Sequence, residues 1–232
     1  MINIRKSKER GHNKLSWLDT YHTFSFADYY DPKHMGFRRL RVINDDKVAA
    51  GGGFATHPHK NMEIITYILE GSLRHTDSMG NTAVLKKGEI QVMSAGSGIT
   101  HSEVNASDHE LLHLLQIWIE PEQRDIPPAY QDKNIDVREQ SNKLVLVASH
   151  NSAAGGLPLN QDASVHAGFF NKDNELEYKL SPSRHAWLHL ARGKMTVNGH
   201  PLETGDGISF SEEDHIKVYA LEDSEFLLFD LN

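Results

Sequence analysis

"THPHKNMEIITYILEG", Thr56 to Gly71, decides how this chain folds and where its chemistry sits. The run after Glu63 is short, rich in Ile and Tyr and closed by a glycine, which reads as a strand. Ahead of it stand His57 and His59, one residue apart. In a strand, residues i and i+2 face the same side, so both imidazoles can enter one interior. Pro58 between them cannot donate a ladder hydrogen bond, which puts the segment at a sheet edge or a bulge. Such a pair is half of a metal site.

The other half is "SAGSGITHSEVN", where His101 and Glu103 form a second i, i+2 pair after a glycine-rich turn. Three imidazoles and one carboxylate suit a first-row divalent metal, and an octahedral ion held by four ligands keeps two open positions. Glu63 shares strand parity with His57, His59 and Asn61 and is a rival carboxylate. His75 and His113 also fall on strands and are read as structural. Gln116 and Trp118 share a parity and either line the cavity or pack in the core; Trp17 and Trp187 are read as packing.

Composition narrows the classes. The chain has 232 residues and no cysteine, so disulfides and thiolate-held metals are excluded. A formal net charge of −8 opposes binding to nucleic-acid phosphates and leaves a protein partner open. "MINIRKSKER" lacks the apolar core of a signal peptide, and the longest apolar run, "LLHLLQIWI", is too short to span a bilayer. These features predict a cytoplasmic protein without a membrane segment.

Helical periodicity is scarce and glycines punctuate the chain at short intervals, which predicts an all-β protein of sandwich or small-barrel type. "HTFSF" alternates, with His22, Phe24 and Phe26 on one side. "HLLQIWIE" reads as a further strand, and Asn198-Gly199 as a hairpin turn. An order of turns repeats: Glu70-Gly71 corresponds to Arg192-Gly193, Gly80-Asn81 to Asn198-Gly199, and Gly88-Glu89 to Gly205-Asp206. Two similar β domains are expected, over 1–125 and 126–232, joined in the polar, proline-containing stretch 120–143. Counting from the shared glycines places Lys179, Ser181, Val218 and Ala220 where the first domain has its ligands. The second domain is therefore expected to hold no metal.

Gly51 through His57-Pro58-His59 to Glu63 and Gly71 resembles the first cupin motif, with one extra residue before the closing glycine. Gly88 through Gly96 to His101 and Asn105 resembles the second, with Ser94 in place of the usual proline and two more residues before His101. "WLDTYHTFSFADYYDPKHMGFRRLRVINDD", "HPHKNMEIITYILEGS", "MSAGSGITHSE" and "LHLLQIWIEP" together resemble the pirin family. That resemblance implies a bicupin, two jelly-roll domains in one chain, with one metal in the N-terminal domain. It implies His57, His59, His101 and Glu103 as the ligands, which favours Glu103 over Glu63 and leaves Glu63 to support a ligand. It also implies quercetin 2,3-dioxygenase activity on a flavonol-like substrate with dioxygen, Glu103 acting as general base. The metal expected is iron(II), the same donors also suiting manganese, cobalt, nickel, copper or zinc. The family's other function class implies the alternative, a metal- or redox-sensing regulator acting through a protein partner.

Overall fold

Leucine and isoleucine occupy both parities of residues 112–119, so that segment can be covered on both faces, and it lies in the interior of a sheet. This computed structural model describes residues 1–150 and 155–232. Its strands are β1 (Ile2–Arg5), β2 (Gly11–Lys14), β3 (Leu18–His22), β4 (Leu40–Val48), β5 (Gly53–His59), β6 (Glu63–Glu70), β7 (Ser72–Asp77), β8 (Thr82–Lys86), β9 (Glu89–Ser94), β10 (Ile99–Asn105) and β11 (Leu112–Ile119). There follow β12 (Ala129–Asn134), β13 (Leu144–Ser149), β14 (Leu157–Pro158), β15 (Ala163–Phe170), β16 (Glu175–Lys179), β17 (His185–Arg192), β18 (Lys194–Val197), β19 (His200–Glu203), β20 (Gly207–Ser211), β21 (His215–Ala220) and β22 (Ser224–Leu231). Among the described residues the one helix is a 3-10 turn at Ser7–Glu9, and no helix is long and apolar enough to cross a membrane.

The strands form two compact units. One holds residues 11–135 and 157–161, the other 1–10, 136–156 and 162–232. These limits differ from the expected 1–125 and 126–232. β1 pairs with β20 and so carries the first residues into the C-terminal unit, while β12 pairs with β9 and keeps residues 129–134 in the N-terminal one. Both pairings are long-range, and neither leaves a local signal at the expected junction.

In the N-terminal unit the larger sheet runs β12-β9-β6-β11-β4-β3-β2 and the smaller β5-β10-β7-β8, all in antiparallel pairs. β6 and β11 are central and nearly wholly buried. β5 is an edge strand, as Pro58 requires, and one extra residue stands between Phe54 and His57 opposite Glu103 and His101. The C-terminal unit repeats the plan, with a larger sheet in the order β1-β20-β17-β22-β15-β13 and a smaller one in the order β16-β21-β18-β19.

Strand limits differ from the pattern in one place. β3 ends at His22, so "HTFSF" is a strand only at its first residue. Thr23, Phe24 and Ser25 are all buried, Ser25 donating through its hydroxyl to the Asp31 carbonyl and accepting from the Asp31 amide. The alternation there reflects a buried loop whose polar groups bond locally.

Two glycines carry the repeat. Gly71 and Gly193 close β6 and β17 with φ of 76° and 98°. A Cβ on Gly71 would lie 2.4 Å from the Leu111 carbonyl oxygen, and one on Gly193 2.5 Å from that of Asp223. Gly80, with φ of 93°, has open space around it. Gly71→Ala and Gly193→Ala are therefore expected to cost more than the roughly 1–3 kcal/mol of a strained backbone alone, and Gly80→Ala to cost only the backbone part. Urea denaturation of the three variants measures the difference.

Candidate functional site

A rung of polar residues crosses the inner face of the larger N-terminal sheet. Gln91 on β9 is paired with Thr66 on β6, Thr66 with Gln116 on β11, Gln116 with Asn44 on β4, and Asn44 with His22 on β3. All five are buried. The smaller sheet faces this rung with His101 and Glu103 of β10, which pair with His57 and Phe54 of β5 on one side and with Asp77 and His75 of β7 on the other.

Glu103 reaches across to the rung. Its Oε1 accepts from the side-chain amide of Gln91 at 2.6 Å, and its Oε2 from that of Gln116 at 2.6 Å. The Thr66 hydroxyl is 3.1 Å from both Glu103 and the Gln116 carbonyl oxygen, and with a single proton it donates to one at a time. Burial pushes the Glu103 carboxyl up to about 7, against the lowering effect of these donors.

The imidazoles converge beside it. Ring centroids lie 4.7 Å apart for His57 and His59, 4.5 Å for His57 and His101, and 4.8 Å for His59 and His101. The His57 Nδ1–H donates to the Ala55 carbonyl at 2.8 Å, which leaves Nε2 with its lone pair toward the cluster. That Nε2 faces the His101 Nε2 at 3.1 Å. Burial is the main force holding His59 down to about 4 and His101 to about 3, helped by the neighbouring imidazoles. Both rings are therefore neutral, as metal ligands must be.

The four expected ligands do not make one tight group. His57, His59 and His101 bring their ligand atoms within 4.8 Å of one another, and Glu103 belongs to an overlapping group with His101 and His75. His75, read as structural, is wholly buried and lies 3.2 Å through Nε2 from the Asp77 carboxylate, its ring 5.3 Å from that of His101. The i, i+2 pair His75–Asp77 on β7 is the signal in the sequence, of the same kind as His101–Glu103. Glu63 is placed elsewhere: its Oε2 accepts from the Ser94 hydroxyl at 2.7 Å and the Asn160 amide at 3.1 Å. The turn containing Asn61, with φ of 51°, lies between β5 and β6, so parity does not carry from His59 to Glu63. His113 is bonded to Asp45 at 2.7 Å.

Beside the cluster is a cavity of about 80 Å³, lined by His57, His59 and Glu103 together with Phe26, Phe54 and Trp118. Gln116 and Trp118 thus both line it, and Trp118 meets the His59 ring edge-on at 5.0 Å. The corresponding rung of the C-terminal unit, five residues before Gly193 as Thr66 is before Gly71, reads Ile208, Leu188 and Leu228. These belong to one apolar cluster with Val218 and Ala220.

Residues 3–119 match the family model described as Pirin, and residues 146–231 the model described as Quercetinase C-terminal cupin domain. A protein of Escherichia coli (strain K12) named quercetin 2,3-dioxygenase is 49% identical over 231 residues, covering 100% of this chain and 99% of that protein. A pirin-like protein of Caulobacter vibrioides is 40% identical over 231 residues, with 99% of both chains covered. The crystal structure of a bacterial pirin of Escherichia coli in complex with nickel(II) superposes with a TM-score of 0.95 at 47% identity, covering 100% of this chain and 99% of that one.

In metal-free protein, the imidazole resonances of His59 and His101 are expected not to titrate between pH 8 and 5, while the Glu103 carboxyl carbon titrates near 7. Nuclear magnetic resonance across that range checks both, and an ordinary titration of His101 near its usual value of about 6.5 would contradict the buried neutral cluster.

Proposed function

The chain belongs to the pirin family, and from that premise we propose that it is a metal-dependent dioxygenase opening a flavonol such as quercetin, with its metal held by His57, His59, His101 and Glu103. The observation that carries this reading is the meeting of three imidazoles and one buried carboxyl group at the wall of a cavity with an aromatic lining. The donor set fits a divalent first-row ion. The Nε2 atoms of His57 and His101, 3.1 Å apart, would both serve as donors to such an ion. Iron(II) is the ion proposed. Glu103 would be the fourth ligand, next to His101 on the same strand.

When bound, the metal supplies Lewis acidity toward a chelating hydroxyl and redox contact with dioxygen. The chain's own groups do the rest. Glu103, held near neutrality by burial, accepts the proton of the substrate hydroxyl. Gln91 and Gln116 orient its two oxygens, one each. Phe26, Phe54 and Trp118 offer apolar surface to the rings and exclude water from the reacting edge. The cavity of about 80 Å³ is smaller than the roughly 300–1,000 Å³ of sites for drug-sized ligands. The chelating edge of a flavonol therefore enters it, and the remaining rings lie in the mouth. The C-terminal unit, apolar where the ligands would be, is proposed to hold no metal and to serve as support.

Purified without a histidine tag, the protein is expected to carry one equivalent of metal, and His57→Ala/His59→Ala to carry none. Full occupancy in that double variant, measured by plasma emission, would remove the assignment. Glu103→Gln is expected to keep much of its metal through the three imidazoles and to lose roughly 10²–10⁴-fold in quercetin oxidation. The loss should shrink as pH rises, because the flavonol then arrives deprotonated. Oxygen uptake with quercetin and defined metals measures both the parent and the variant. Absence of turnover in the parent with every divalent metal would refute the dioxygenase reading.

A further inference from the structure

The cavity beside the imidazoles has a sealed floor and an open rim. Its buried lining lies on β3, β4, β10 and β11, whereas Phe26, Phe54, His57, His59 and Trp118 are partly exposed and form the rim. Phe54, His57 and His59 stand on β5, and Trp118 on β11, which is paired on both sides. Phe54 is also packed edge-on against Trp17 at 5.2 Å. Among the lining residues Phe26 alone stands outside a strand, in the connection 23–39 between β3 and β4. The backbone there is tied down: Phe26 and Tyr29 exchange amide-to-carbonyl bonds at 3.0 Å, and the Ser25 amide donates to the His34 carbonyl at 2.7 Å. The Phe26 ring itself rests on two ring contacts, Trp118 edge-on at 5.3 Å and His22 edge-on at 5.2 Å, with one flank open to solvent. A flavonol whose chelating edge enters the cavity brings its remaining rings into this rim. The strand-borne side chains give way there only with their backbone. Phe26 gives way by turning about its Cα–Cβ bond, a motion of picoseconds to nanoseconds in exposed side chains.

We propose that Phe26 is a door in the rim, a specificity-determining residue that sets how large a chelating substrate reaches the imidazoles. With the ring turned inward, a single chelating ring slips past it. With the ring turned outward, the mouth takes a substrate of several fused or linked rings. Capture of the larger substrate is then slowed by the fraction of time the ring stands outward, as for any binder whose competent state is partly populated. The proposal rests on the dioxygenase reading for the chelating substrate, and on the rim itself for the door.

The probes are quercetin and 3-hydroxypyran-4-one, which is the chelating ring of a flavonol without its other rings. Zinc-loaded protein binds chelators without redox chemistry, so the association rate of each probe is read by stopped-flow absorbance. In the parent the single-ring probe is expected to associate faster by about tenfold or more, inside the roughly one to three decades that association rates span among variants of one site. In Phe26→Ala that ratio should fall toward one, through faster association of quercetin, and in Phe26→Trp it should rise. A ring that only offers contact surface would leave association unchanged and speed dissociation instead. A ratio near one in the parent, or quercetin associating no faster in Phe26→Ala, therefore overturns the door. If Phe26→Ala does not fold, Phe26→Leu and Phe26→Trp make the same comparison in opposite directions. The expected rate pattern without quercetin turnover by any redox-active metal form leaves the door standing and removes the dioxygenase reading. Quercetin turnover with the rate ratio unchanged across the variants does the reverse, and absence of quercetin binding in every protein overturns both.

Discussion

Glu103 is a carboxyl group with 2% exposure, and the N-terminal unit is built around keeping it there. Burying such a group without partners costs several kcal/mol or more, so the surroundings must supply donors. They come from the opposite sheet. β10 brings the carboxyl, and β9, β6 and β11 bring Gln91, Thr66 and Gln116 in register. The same bonds that lower the cost of burial tie the two sheets of the unit together at its polar interior. They also hold the carboxyl beside the imidazoles instead of letting it turn to solvent.

The C-terminal unit shows what the plan looks like without that demand. Its glycine turns recur, as Gly193 recurs for Gly71, and its strands pair in the same order. At the matching rung stand Ile208, Leu188 and Leu228, packed with Val218 and Ala220. Apolar side chains of this size fill the interior and gain transfer energy, roughly 1.5–3 kcal/mol for each fully buried one. The N-terminal unit forgoes that gain along its rung and spends the positions on orientation, which is the exchange expected between a packed core and a reactive site.

Much of this was legible beforehand. The all-β class, the hairpin at Asn198-Gly199 and the strands β6 and β11 follow from short apolar runs bounded by turn residues, and the structure has each of them. The two histidine segments were legible because i, i+2 parity is a local property of an extended chain. His57 and His101 do stand opposite each other. Parity misled where extension breaks. It carried the expectation past His22 into a buried loop, and it carried Glu63 toward the imidazole cluster across a turn in which Asn61 has left-handed backbone geometry. The unit limits were not legible, since the pairing of β1 with β20 joins residues about two hundred positions apart.

The sequence by itself determined which residues could serve: two pairs with metal-binding side chains, each on one face of a strand, an edge position marked by Pro58, and no thiolate to compete. Only the tertiary structure decided what stands around them. Gln91, Thr66, Gln116 and Asn44 come from four separate strands and show no common spacing, so nothing local marks them as one row. His75 joins Glu103 and His101 only because β7 lies on the other side of β10 from β5. The physical reason is the range of the interactions: side-chain direction is set by the backbone of the residue itself, whereas cross-strand register is set by pairing between distant segments.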